Sequence, residues 1–67
     1  MENWTLVYTS GQLYIAELMK QLLAENDIRA IIVNKKDSAY LFGDVELYVA
    51  YEDAFLALQI INRHESE

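Results

Sequence analysis

The sequence contains no cysteine and no proline, only two glycines and a single histidine. Each shortage closes off a class of protein. Without cysteine there is no disulfide framework and no thiolate zinc site. Without proline, and with so little glycine, nothing reads as a linker, a repeat or a low-complexity tract. No apolar run approaches the ~18 residues that a membrane span needs. The opening MENWTLVYTS lacks the basic start and long apolar run of a signal peptide. Positive charge is scarce as well: five Lys and Arg stand against eleven Asp and Glu, for a net charge of −6. That balance repels phosphate backbones and anionic bilayers, so neither nucleic acid nor a membrane is the expected partner. With no cysteine and no signal peptide, a cytoplasmic location is expected.

What the chain does have is apolar surface. Apolar residues make up 54% of 67 positions, which form one domain over residues 1–67. A chain this short hides only about 60% of its unfolded surface. Some of the apolar surface therefore has no place inside one subunit, and a homodimer is expected.

Trp4 to Thr9 alternates through β-branched and aromatic residues and reads as a strand, with Trp4, Leu6 and Tyr8 on one face and Thr5, Val7 and Thr9 on the other. Ser10 offers a hydroxyl N-cap. Gly11 to Glu25 reads as a helix whose stripe is Ile15, Leu18, Met19 and Leu22, flanked by Ala16 and Leu23. It should stop at Asn26-Asp27, two residues that tolerate the left-handed conformation. Ile28 to Val33 is a second strand, and Val45 to Ala50, alternating cleanly, a third. Tyr51-Glu52-Asp53 places acids at the start of a second helix, and Arg63 and His64 stand in its last turn, each at the end the helix dipole favours. Its inward residues are expected to be Ala54, Ala57, Leu58 and Ile61, which turns Phe55 and Leu56 outward.

The order βαββα predicts an α+β two-layer sandwich with a three-stranded sheet and both helices on one face. The third strand should enter between the first two, antiparallel to each, as in a ferredoxin-like fold without its last strand.

The run from LVYTS through IAELMKQLLAENDIRAIIVN to GDVELYVAYEDAFLALQIINR resembles the DUF2007 family of small prokaryotic signal-transducing proteins. The positions that carry the likeness are Tyr8-Thr9, Ala16-Glu17, Leu22-Leu23, Ile28, Asn34, Val45 to Val49, Glu52-Asp53 and Ala57. The resemblance implies a compact domain akin to the PII signal proteins, with a regulatory or binding role. The family's usual Gly before Ile is Asp27 here, and the Pro that often follows is Arg29. The family has no agreed catalytic residues to carry over.

The residues themselves point the same way. His64 near the chain's end has no partner that would make it a general base. No nucleophile constellation and no Asp-x-Asp loop is present, so neither catalytic nor metal-binding nor cofactor-binding residues are expected. Thr9-Ser10-Gly11 reads as capping before it reads as an anion site. If Leu6, Tyr8, Ala30, Ile32, Val45, Leu47 and Val49 face the helices, then Val7, Ile31, Val33 and Tyr48 cluster on the opposite face, where a sheet is normally polar. They are expected to form a dimer or partner surface. Between the second and third strands, Tyr40, Leu41 and Phe42 form either a plug over the sheet or a contact for a protein partner. Lys35 and Lys36 are candidates for meeting an anionic group. The alternative function is therefore a small-metabolite sensor that holds its effector between the 34–44 loop and the sheet.

Overall fold

The computed structural model describes residues 3–35 and 44–66. The elements are β1 (Trp4–Ser10), α1 (Leu13–Ala24), β2 (Ala30–Asn34), β3 (Val45–Ala50), a short 3-10 turn (Tyr51–Asp53) and α2 (Ala54–Glu65). The strands form one antiparallel sheet in the order β1-β3-β2, so β3 does enter between the other two. Met19 and Leu23 of α1 and Ala57, Ile60 and Ile61 of α2 share a single core with Ala30, Leu47 and Val49. Both helices therefore cover the same face. Among the described residues the fold has these two layers and no third.

β3 is the middle of this arrangement because its residues alternate strictly. Val45, Leu47 and Val49 are completely buried, while Glu46, Tyr48 and Ala50 between them are only half-buried. Burying a side chain of this kind is worth about 1.5–3 kcal/mol. Three on one strand fix which face it turns to the helices. Slipping the register by one residue would exchange them for a glutamate, a tyrosine and an alanine.

Four expectations need correction. In β1, the strict alternation is broken by a bulge: Leu6 pairs with Tyr48 and Tyr8 with Leu47, leaving Val7 as the extra residue. Val7 is consequently 8% exposed and part of the core, while Leu6, expected inside, points out at 44%. Ser10 belongs to the strand, and the α1 N-cap is Gln12; the Ser10 Oγ still accepts the Gln12 N–H at 3.0 Å. The buried stripe of α1 is Ala16, Met19 and Leu23, with Leu18 exposed. On α2, Ile60 takes the place expected of Leu58, which is exposed. In both helices a fully buried alanine, Ala16 or Ala57, begins the buried stripe. A small residue there lets the helix approach closely and rotates its larger neighbours to the flanks.

The end of α1 follows from local chemistry. Asp27 has φ of 63°, the left-handed region. The Ile28 N–H donates to the Leu23 carbonyl at 2.9 Å and the Asp27 N–H to the Ala24 carbonyl at 3.0 Å. These two bonds, one spanning five residues and the other three, are those of a Schellman cap. Its usual apolar clasp is present too, since Leu23 and Ile28 are both buried in the core. The cap thereby delivers the chain into β2. A residue with a branched Cβ at position 27 would pay the left-handed penalty of about 1–2 kcal/mol. Urea unfolding should show Asp27→Val destabilised by roughly that amount. Asp27→Gly should stay within about 1 kcal/mol of the wild type, because steric relief and added unfolded-state entropy oppose each other. Equal losses for the two variants would contradict the assigned cap.

Candidate functional site

The sheet face turned away from the helices is an extended surface whose composition departs from what its position calls for. The strand pairings place Leu6, Tyr48 and Ile31 side by side across all three strands. Trp4 beside Ala50 continues this row at one end, and Val33 beside Glu46 at the other. An antiparallel sheet with one face on the core normally turns polar residues to its wet side. Here the centre of that side is aromatic and aliphatic. Ile31, Val33 and Tyr48 lie where the sequence places them, and Leu6 stands where Val7 was expected. Val7 cannot serve as a contact residue, because the bulge carries it into the core.

Charge on this face is confined and paired. Glu46 Oε1 accepts the Tyr48 hydroxyl at 2.8 Å and lies 3.2 Å from Lys35 Nζ. The hydrogen bond from Tyr48, then the one from Lys35, hold the Glu46 carboxyl below its ordinary value. The same contacts raise the Tyr48 phenol and the Lys35 ammonium above theirs, in both cases chiefly through the bond to Glu46. The carboxylate beside the apolar row thus has two partners of its own. Lys35, expected to meet an external anion, is paired with Glu46 within the subunit. Reading this pairing from sequence would have required the β2–β3 register, which the intervening loop conceals.

The other candidates are dispersed. Lys36, Tyr40, Leu41 and Phe42 lie outside the described residues, as does any space between that loop and the sheet. His64 is in the last turn of α2, exposed, in a shallow groove with Leu22, Asn26, Ile60 and Arg63. Ser10 is engaged with Gln12 at the entrance to α1, the capping role. On the helix side, the Tyr8 hydroxyl donates to Glu65 Oε2 at 3.0 Å, tying the end of α2 to β1; burial, then Glu65, raises this phenol. Phe55 and Leu56 do point outward, Phe55 at 75% exposure. No helix among the described residues is long and apolar enough to cross a membrane.

These features define a small βαββα domain that keeps one sheet face apolar and uncovered by its own helices. The chain belongs to the DUF2007 family, whose model, described as "Putative prokaryotic signal transducing protein", matches residues 4–65. No curated protein and no solved structure matches it.

The Glu46 cluster has a pH signature. Because the folded-state value lies below the ordinary 4.5, the contribution is complete above that pH and is lost as pH falls through the depressed value. Chemical unfolding across the acid range should therefore show a steeper decline for the wild type than for Glu46→Gln, with parallel curves near neutrality. Coincident acid limbs would mean that the cluster does not bear on stability.

Proposed function

We propose that this protein is a non-enzymatic regulatory module of the cytoplasm that works by recognition, and that its outer sheet face joins two copies into a homodimer. The observation that carries this reading is the row Leu6–Tyr48–Ile31, apolar across the full width of the sheet face that neither helix covers. The family's description as signal transducing supports the general kind of role.

A second copy suits this face for three reasons. A two-fold axis through the sheet lays the same row against itself, which is the isologous contact most homo-oligomers use. The only carboxylate on the strands' outer face, Glu46, is already paired within the subunit, so self-association leaves no unpartnered charge at the centre. A contact limited to this short row lies at the low end of specific interfaces. The dimer should accordingly be reversible and concentration-dependent, which fits a regulatory role better than a permanent assembly would.

Light scattering over a dilution series should show the wild-type mass rising towards the dimer in the micromolar range. Ile31→Glu should remain monomeric with an unchanged circular dichroism spectrum, because residue 31 is outside the core. A wild type that stays monomeric at every concentration sinks the dimer. Leu6 and Val7 give an internal control. Val7→Ala should lose about 1.5–3 kcal/mol of stability through lost burial. Leu6→Ala should leave stability nearly unchanged and weaken association.

A further inference from the structure

The outer edge of β2, which pairs with no strand among the described residues, carries a second surface, independent of the sheet face. β2 is an outer strand of the sheet. The Lys35 N–H donates to the Asp44 carbonyl at 3.0 Å, which fixes the phase of the β2–β3 ladder. Hydrogen-bonded pairs alternate along an antiparallel ladder, so residues 31, 33 and 35 direct their backbone groups at β3. Ala30 and Ile32 then direct theirs away from it, at the open edge. Beside that edge, a groove of about 500 Å³ runs between α1 and β2, lined by Lys20, Ala24, Asp27, Ile28, Arg29, Ala30 and Ile31.

The charge of this edge is opposite to that of the molecule. The net charge is −6 and only five residues are cationic. Three of those five, Lys20, Arg29 and Lys35, lie along β2 or over its groove. Lys35 is paired with Glu46, and Asp27 contributes one carboxylate to the groove. Lys20 and Arg29 make no ion pair among the described residues.

We propose that the β2 edge binds an extended acidic segment of a partner protein as an added strand. The backbone groups of Ala30 and Ile32 would hydrogen-bond to it, and Lys20 and Arg29 would meet its carboxylates. Strand addition of this kind takes its affinity from main-chain bonds and its specificity from alternate side chains. Cations on an edge also guard against indiscriminate pairing, and that same property selects the occupant. A second copy paired antiparallel about Ile32 would set Arg29 opposite Lys35 of the other copy at both ends. Like charges directly opposite one another oppose that pairing. An acidic strand turns the same positions into attractions.

The test uses the full chain, ¹⁵N-labelled, titrated with two short capped peptides, one alternating valine with glutamate and the other valine with lysine. The expected result is that the glutamate peptide shifts the Ala30 and Ile32 amides and slows their hydrogen exchange, whereas the lysine peptide does not. Lys20→Glu should weaken the glutamate peptide about three- to tenfold, and Lys20→Arg should restore it. Lys20 stands on the helix side of the sheet, so neither change should alter the dimer equilibrium. Equal responses to the two peptides would overturn the proposal, as would shifts confined to Leu6, Ile31 and Tyr48, or no response at all.

Discussion

The alternation of β3 is the constraint on which the rest depends. Val45, Leu47 and Val49 can be buried together only if the strand is covered on one face along its whole length. Meanwhile its backbone is hydrogen-bonded to β1 on one side and β2 on the other. Those two requirements put β3 in the centre of the sheet and both helices on one side of it. The opposite side is then settled by default: whatever stands at residues 46, 48 and 50 faces away from the core. A tyrosine at 48, aligned with Leu6 and Ile31, makes that face apolar. Architecture and candidate site are thus two sides of a single strand.

The fold was legible because its signals are local. Period-two patterning marked β3, Asn26-Asp27 marked the end of α1, and a β-branched run too short for a helix marked β2. The left-handed Asp27 was foreseeable because its side chain tolerates that conformation, and the Schellman cap follows from it. What escaped the sequence depends on partners distant along the chain. Seven residues of β1 lie against six of β3, and the surplus is absorbed at Val7. Nothing in WTLVYT marks the bulge, since no glycine stands there. One unpaired residue turned Trp4 and Leu6 outward and Thr5 and Val7 inward, the reverse of the simple alternation. The helix faces failed for a related reason. Reading hydrophobic weight brought Leu18 and Leu58 inward and left Ala16 at the flank, whereas close approach to the sheet buries Ala16, as it does the Ala57 already expected inside, and turns those leucines outward.

The proposed surfaces sit on separate parts of the sheet. The outer face is apolar and nearly neutral, since its carboxylate is compensated within the subunit by Lys35 and Tyr48. The β2 edge is cationic in an otherwise acidic chain and offers backbone groups rather than side-chain bulk. A module with one face suited to itself and one edge suited to a different chemistry is able to hold two kinds of contact at once. Under the proposed reading, that is a physical basis for passing information between proteins. Glu46 lies close to both, and its protonation would release Lys35 as well as the Tyr48 hydroxyl.

The central claim is that the Leu6–Tyr48–Ile31 row is the contact between copies. The most direct measurement is an isotope-filtered nuclear Overhauser experiment on an equal mixture of ¹³C-labelled and unlabelled protein at high concentration. The account predicts intermolecular cross-peaks between the Tyr48 ring and the methyl groups of Leu6 and Ile31. Cross-peaks found instead at Phe55 and Leu58 on the helix side, or a complete lack of intermolecular signal, would contradict it.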